Sequence, residues 1–294
     1  MRQLALIFFI VCNFSLLNAQ TKLQYDLKKD DVFVIKQRAE QLIVQELDGV
    51  THEITNKIDG VLEFSVVGEV DDNYQISLTF KDLNLQMASS LQGQLMDVKA
   101  KEVVEGDMQS QIFNSLLETP VSIILAKTGD ILEVKGGDSL VNKMARASGI
   151  EDEFSLNMMK SNLKKEFGSE ALSNNYKQMT YIYSTQEIDT GSTWENQYSG
   201  KLEAKNKWVL DSMNDTIVRI NGTANVTMNV EEAVATMKLN GTQETAITAD
   251  RKSGFIQKMT VTGLSKGTSV MSQMGDTEIP TTIKSTITYE LIKE

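Results

Sequence analysis

Apolar and polar side chains alternate along most of this chain, which is the pattern of β-strands with one buried and one exposed face. The apolar residues recur at every second position, as Leu62, Phe64 and Val66 do in one run and Ile76 and Leu78 do in the next. Short polar turns separate these runs, and the alternation resumes in the last third of the chain. The sequence therefore predicts a mainly β protein of antiparallel strands, arranged as a curved sheet, a half-barrel or a sandwich.

Dipeptides that favour tight turns occur between or within these runs. Asn or Asp followed by Gly is typical of hairpins, because both central residues of the turn need a positive φ. Such hairpin turns are predicted at Asp48-Gly49, Asp59-Gly60, Asn221-Gly222 and Asn240-Gly241. Two further hairpins, at Lys127–Ile131 and Lys252–Ile256, share the order Lys, Ser or Thr, Gly. This echo indicates either two related β halves or the general preference of turns for these residues.

Helical spacing replaces the alternation in two places. Apolar residues recur every three or four positions over 107–117, where Pro120 follows, and a longer helical segment covers 138–176. Asp138 stands where a helix cap is expected. We therefore expect residues 20–294 to form one β-rich domain, with β halves at 20–137 and 177–294 joined by the helical segment.

The first residues have the features of a secretory signal peptide. Arg2 precedes the apolar stretch Leu4–Leu17, and Ala19 supplies a small residue before the expected cleavage point. Cys12 lies inside the apolar stretch, so no lipid-anchoring cysteine follows a cleavage site. We expect 1–19 to be removed and the chain to be exported, periplasmic or extracellular, without lipidation. No later run approaches the roughly 18 apolar residues of a membrane span, so an integral membrane protein is not expected.

The inventory of reactive side chains argues against most enzyme classes. His52 is the only histidine, there is no G-x-S-x-G motif, and neither a zinc set nor a nucleotide-binding loop can be assembled. We therefore expect no catalytic residue, no cofactor and no metal. The net charge of −11 repels phosphate backbones, so nucleic acid is not an expected partner.

Paired carboxylates leave one enzymatic alternative open. Two acids are sufficient for a hydrolase of the glycosidase type, and Glu63 with Glu69, or Glu46 with Glu53, could meet across strands. Aromatic residues make up only 6% of the chain and offer few platforms on which a sugar could stack. A carboxylate-dependent hydrolase is therefore the least favoured function.

Four short motifs occur in a recognisable order along the chain. They are an aliphatic strand leading to a turn at Leu27–Phe33, a hairpin at Gly129–Gly136, a Gly-x-x-Trp segment at Gly191–Trp194 and a hairpin at Asp250–Gly254. This order resembles a domain-of-unknown-function family of secreted, β-rich Bacteroidota proteins. Ser192 stands where that family has a charged residue. The resemblance implies export and a β-rich fold, and it carries no assigned activity.

Methionines and apolar residues of the helical segment suggest a binding surface. Flexible thioether side chains suit varied apolar ligands, although they also fill gaps in cores. The predicted apolar-ligand face consists of Met144, Leu156, Met159, Leu163 and Phe167. The leading hypothesis is a non-catalytic envelope or secreted protein that binds a lipid-like ligand on a curved sheet. The alternative is a structural scaffold that binds an envelope protein.

Overall fold

The structure, a computed structural model, describes residues 21–47, 49–200, 202–231, 235–271 and 277–292. The predicted signal peptide at 1–19 lies outside the described residues. The strands are β1 (Val32–Leu47), β2 (Val50–Val70), β3 (Asn73–Ser89), β4 (Gly93–Lys99), β5 (Val121–Leu125), β6 (Ile131–Lys135), β7 (Thr193–Tyr198), β8 (Leu202–Met213), β9 (Ile217–Glu231), β10 (Ala235–Asp250), β11 (Ile256–Met271) and β12 (Glu278–Leu291). The helices are α1 (Met108–Leu116), α2 (Gly137–Ala147), α3 (Glu153–Phe167) and α4 (Ser169–Thr180).

Within these ranges the twelve strands form one antiparallel sheet that is not closed into a barrel. Its order is β6-β5-β3-β2-β1-β12-β11-β10-β9-β8-β7, and β4 pairs with β3 beside this path. Strands β1–β6 form one arm, strands β7–β12 form the other, and the arms meet where β1 pairs with β12. The prediction of a mainly β fold with antiparallel strands and a few helices is confirmed, and the single curved sheet is the observed form among the three alternatives.

Helix α4 spans the gap between the two edges of the sheet. It packs against both edge strands, β6 and β7. The Nζ atom of Lys177 lies 3.0 Å from Oδ1 of Asp130, which precedes β6. On the other side, the amide of Asn196 in β7 donates a 2.8 Å hydrogen bond to the carbonyl oxygen of Tyr181. The sheet therefore curves until both of its edges reach one helix, and the helices lie on its concave face.

Side chains cap α1 and α3, whereas α2 and α4 begin after glycines that provide no side-chain cap. Asp107 accepts hydrogen bonds from the first turn of α1, and Asp152 does so for α3, which confirms the short helix expected at 107–117. The expected cap at Asp138 is wrong. Helix α2 begins at Gly137, after Gly136 with a φ of 98°, so Asp138 lies inside the first turn and not at the cap position. Among the described helices, none is both long and apolar enough to cross a bilayer.

Three of the four predicted Gly turns are wrong, because their glycines lie inside strands. Gly60 is in β2, Gly222 in β9 and Gly241 in β10. A Cβ atom at Gly222 would lie 2.4 Å from the ring of Trp208, and one at Gly241 would lie 2.2 Å from the carbonyl oxygen of Leu264. These glycines allow close approach on a strongly curved sheet, whereas Gly49 with φ 77° is at a true turn.

An extended N-terminal segment closes one end of the concave face; we call residues 21–31 the strap. Its alternating Leu23, Tyr25 and Leu27 are all buried. The amide of Tyr25 donates to the carbonyl of Lys127 at 2.9 Å, and the amide of Asp26 donates to that of Ser253 at 2.8 Å. The two hairpins that echo each other in sequence therefore bind adjacent residues of the same strap.

Candidate functional site

A cleft of about 420 Å³ lies between the concave face and helix α4. Its volume falls in the range of small-molecule sites. Phe80 from one arm and Tyr198 from the other line the same cleft, because the sheet curves around it. The main hydrophobic core, which reaches the strap, lies below the cleft and includes Leu62, Phe64 and Tyr176.

The floor and walls of the cleft are mainly apolar. Strand alternation directs every second residue of β1, β2, β3 and β12 inward, and cross-strand register aligns them in levels. Ala39, Ile58 and Ile287 form one such level, since Ala39 pairs with both others. Helices α3 and α4 complete the wall. The principal apolar lining residues are Ile58, Leu62, Phe80, Leu85, Phe167 and Ile287.

Uncharged amide side chains cross the cleft at the next level, farther from the strap. Gln41 and Asn56 pair across β1 and β2, and the Asn56 amide donates to Gln41 Oε1 at 3.1 Å. Gln178 of α4 donates to Gln243 Oε1 at 3.2 Å and also hydrogen-bonds to Tyr198. Oδ1 of Asn56 is buried and has no hydrogen-bond partner among the described residues. We call Gln41, Asn56 and Gln178 the amide belt.

Three tyrosines that border the cleft remain uncharged at neutral pH. Burial raises the pKa of Tyr176, Tyr198 and Tyr289 above the ordinary value for tyrosine. The Gln178 hydrogen bond to Tyr198 opposes this increase, but it is weaker than the effect of burial. The phenol groups can therefore donate or accept hydrogen bonds without adding charge to the cleft.

The five residues of the predicted ligand face lie in different environments. Phe167 lines the cleft, where its ring is 6.3 Å from that of Phe80. Met144 is fully buried in the core, and Met159 and Leu163 pack against that core from α3. Leu156 is half-buried on α3. The structure thus brings one of the five residues to the cleft and places four among the helices.

The only histidine has a hydrogen-bond partner, but that partner is part of a turn. Nε2 of His52 lies 3.0 Å from Oγ of Ser89. The same oxygen accepts hydrogen bonds from the backbone amides of Leu91 and Gln92 at 3.2 Å each. Ser89 therefore stabilises the turn between β3 and β4.

The two acid pairs considered from sequence do not face the cleft. Glu63 and Glu69 are six residues apart on β2, which separates them by about 20 Å, whereas hydrolases need carboxyl groups within about 10 Å. Glu46 and Glu53 are diagonal neighbours on β1 and β2, and both are exposed on the convex face. Neither pair shares a cavity with the apolar side chains described above.

Sequence reasoning missed the amide belt, although the pattern contained a signal for it. Asn56 occupies the inward phase of the run that includes Ile54, Ile58 and Leu62. A polar residue in the buried phase of a strand needs a partner, which makes it a candidate for binding. The partner, Gln41, became identifiable only from the register of the two strands.

Solved structures with similar folds include lipovitellin. A lipovitellin structure, described for its lipid–protein interactions, matches with a TM-score of 0.53 and 13% identity. The match covers 91% of this chain and 26% of lipovitellin, so the chain spans about a quarter of that protein's length. At this identity, the likeness establishes a shared fold.

Other comparisons give weaker matches. An outer membrane channel from Pseudomonas putida F1 matches with a TM-score of 0.26 and 5% identity over 92% of this chain and 98% of the channel. This score is too low to support an argument. No curated protein matches the sequence significantly.

A family model matches residues 71–256, which include most of the sheet and all four helices. The matched region contains three of the four motifs on which the resemblance rested: the hairpin at Gly129–Gly136, the segment at Gly191–Trp194 and the hairpin at Asp250–Gly254. The resemblance to a family without assigned activity is confirmed. The chain belongs to the family of unknown function DUF6263.

Proposed function

We propose that this protein is a non-catalytic binding protein that holds a lipid-like apolar ligand in the cleft. The observation that carries the proposal is the apolar cleft between the concave face and α4, in which Ile58, Leu85 and Phe167 offer their side chains to a ligand. A site of this size with apolar walls and a few convergent polar groups is typical of small-molecule binding. The lipid–protein interactions described for lipovitellin support the same ligand class.

The proposed setting is outside the cytoplasm, in the periplasm or the extracellular medium. The support is the signal-peptide pattern of Met1–Ala19. An exported apolar-ligand carrier would keep its cargo out of water while it crosses an aqueous compartment. Localisation of the full-length chain by cell fractionation tests this part of the proposal separately from ligand binding.

The binding test uses a variant that fills the cleft and a control on the same strand. Ile58→Trp places an indole in the cleft, whereas Val67→Trp adds the same group at an exposed position of β2. Native mass spectrometry and solvent extraction of the purified protein identify co-purified apolar molecules. Titration with the uncharged fluorophore N-phenyl-1-naphthylamine measures binding.

We expect Ile58→Trp to weaken fluorophore binding by about tenfold or more, because the added indole occupies the volume that the ligand needs. Val67→Trp should bind like the wild type. Equal binding by the two variants, or no binding by the wild type, would overturn the proposal.

The second candidate is a protein-interaction role, which exposed apolar residues on α3 favour. Phe154 and Met158 lie one turn apart, and their exposed fractions are 73% and 54%. Exposed apolar groups of this size are common at interaction sites. If in-cell cross-linking captures one defined partner, and the double variant Phe154→Ser, Met158→Ser loses it while fluorophore binding is unchanged, this role is supported. Retention of the partner by that variant would exclude this surface.

A further inference from the structure

The charge of the cleft restricts the ligands that it can accept. No lysine or arginine occurs among the described residues that line it. Its two acidic lining residues are Glu40 and Glu166. The side chain of Glu40 faces the opposite side of the sheet, where its Oε1 lies 3.8 Å from Nζ of Lys57. A carboxylate or phosphate group inside the cleft would therefore meet no positive side chain among the described lining residues.

Burial of an anion without a counter-charge is strongly unfavourable. Proteins that bind anionic head groups usually supply Arg or Lys to compensate for this cost. The neutral phenol groups of Tyr198 and Tyr289 do not replace such a cation. The cleft is therefore poorly suited to fatty acids and to lipids with phosphate head groups.

The amide belt favours a different kind of ligand group, one that is uncharged and can donate a hydrogen bond. Oδ1 of Asn56 is a buried acceptor without a hydrogen-bond partner among the described residues, while the Asn56 amide nitrogen donates to Gln41. A buried acceptor gains stability from a donor that reaches it, and a ligand hydroxyl group is such a donor once the Asn56 side chain turns its oxygen toward the cleft. The unmet hydrogen-bonding capacity of the cleft thus matches an uncharged, hydroxyl-bearing group.

The positions of the apolar residues and the amide belt match the two parts of an amphiphile. Along β2, inward residues run from Leu62 through Ile58 to Asn56. The six residue steps between Leu62 and Asn56 span about 20 Å at the rise of a β-strand. The apolar levels can hold a hydrocarbon chain while the amide belt contacts a head group at the end farther from the strap.

We infer that the cleft selects amphiphiles with an uncharged, hydroxyl-bearing head group, of the monoacylglycerol type, over amphiphiles with anionic head groups. This inference rests on the proposed function, because it assigns the ligand class of the same cleft. It adds a role for Asn56 as the acceptor that contacts the head group, with Gln41 as a positioning residue that holds the Asn56 amide.

A matched pair of ligands tests the selectivity in the wild-type protein. 1-Monooleoylglycerol and 1-oleoyl-glycerol-3-phosphate share the acyl chain and the glycerol and differ by one phosphate. Each is titrated, below its aggregation concentration, against bound N-phenyl-1-naphthylamine. We expect 1-monooleoylglycerol to bind about tenfold or more tightly than its phosphate, because the phosphate is buried without a counter-charge.

Variants then connect the selectivity to the amide belt. Asn56→Leu should weaken 1-monooleoylglycerol binding by about tenfold relative to fluorophore binding, because only the lipid loses a hydrogen bond to its head group. Asn56→Lys should shift the preference toward the phosphate. Asn84→Leu is the control, since Asn84 lies in the neighbouring strand on the convex face.

The outcomes separate this inference from the proposed function. If the fluorophore binds and the phosphate competes as well as 1-monooleoylglycerol or better, the head-group inference is wrong while the cleft remains a binding site. The same conclusion follows if fluorophore binds but neither lipid displaces it. If the wild type binds neither lipid nor fluorophore, the proposed function itself fails.

Discussion

The two regions of the concave face are built from the same long strands but are filled differently. At the strap end, Tyr25 contacts Tyr183 and Phe255, with ring centroids 5.2 and 6.1 Å apart, and its hydroxyl donates to the carbonyl of Thr180 at 3.1 Å. These contacts fill the space at the strap end with side chains of the protein itself. In the cleft, an open volume of about 420 Å³ lies beside half-buried side chains, and the amide oxygen of Asn56 has no hydrogen-bond partner within the described part of the chain.

This difference indicates that the strap end mainly stabilises the fold, whereas the cleft is suited to binding. Close packing around Tyr25 stabilises the strap end, because aromatic side chains bury large apolar areas and edge-to-face ring pairs add further stability. The cleft contributes less to folding because its side chains lack neighbours on one side. A region that is underpacked and polar at one level is better suited to bind a ligand than to stabilise the fold.

The largest expected effect comes from removing the ring at the centre of the strap. Tyr25→Ala should reduce the free energy of unfolding by about 3–5 kcal/mol, because it opens a cavity and removes the hydrogen bond to Thr180. Phe154→Ala is the control, since Phe154 is 73% exposed and should change stability by about 0.5 kcal/mol or less. Urea denaturation measures both, and similar effects would contradict the importance of the strap.

A second test concerns the hairpin that holds the strap. Gly129 has φ 92°, and a Cβ atom there would lie 1.7 Å from the carbonyl oxygen of Thr180. Gly191 has φ 87° but no atom within 4 Å of its Cβ position. Gly129→Ala should therefore destabilise by roughly 3 kcal/mol or more and Gly191→Ala by about 1 kcal/mol, because they share the backbone strain but not the clash. Equal shifts in the urea midpoint would show that the hairpin can move away from the strap.

Two isoleucines on the concave face compare the regions directly. Ile76 is fully buried in the core, whereas Ile58 borders the cleft. Ile76→Ala should cost about 3–4 kcal/mol and Ile58→Ala only about 1 kcal/mol, because part of the Ile58 side chain already faces open space. Equal destabilisation in urea would indicate that the cleft is as tightly packed as the core.

The substitution with the smallest expected effect removes a single phenol group and tests how stability depends on alkaline pH. Burial raises the pKa of Tyr25, Tyr176, Tyr183 and Tyr289 above the ordinary value of 10.0. The folded state therefore retains protons that the unfolded chain releases. The associated stability is fully present below about pH 10 and is lost as the pH rises above it, by about 1.4 kcal/mol per pH unit for each tyrosine.

Tyr25→Phe tests this dependence with one group removed. It should lower the free energy of unfolding at pH 7 by about 1 kcal/mol through the lost hydrogen bond. Above pH 10 the loss of stability should be less steep by about 1.4 kcal/mol per pH unit, because unfolding releases one proton fewer. Urea denaturation between pH 8 and 11 measures the slope. An unchanged slope in the variant would show that Tyr25 does not remain protonated in the folded protein.

The sequence predicted the elements better than it predicted how they meet. Alternation is a local property, so strands such as β2 and β3 were recognisable from apolar residues at every second position. Helical spacing is local as well, so the short helix over 107–117 was recognisable, whereas the one predicted cap, Asp138, was wrong. The turns predicted at Asn221-Gly222 and Asn240-Gly241 were wrong. A glycine that is needed for close packing between strands can stand in the same local sequence as a glycine in a turn.

The cleft was less predictable because it depends on contacts between distant parts of the chain. Phe167 was included in the predicted ligand face, and it does line the cleft. Met144 could not be assigned correctly to core or surface from helical spacing alone, since that spacing shows which face is apolar but not what covers it. Asn56 and Gln41 meet only through the register of β1 and β2, and α4 reaches them only because the sheet curves.

The most direct test of the central proposal is photoaffinity labelling with an uncharged long-chain alcohol that carries a diazirine in its hydrocarbon chain. Tandem mass spectrometry of the labelled protein identifies the modified residues. We expect adducts at Ile58, Leu85 and Phe167, strongly reduced in Ile58→Trp and retained in Val67→Trp. Adducts concentrated at Phe154 and Met158 and unaffected by Ile58→Trp would contradict binding in the cleft.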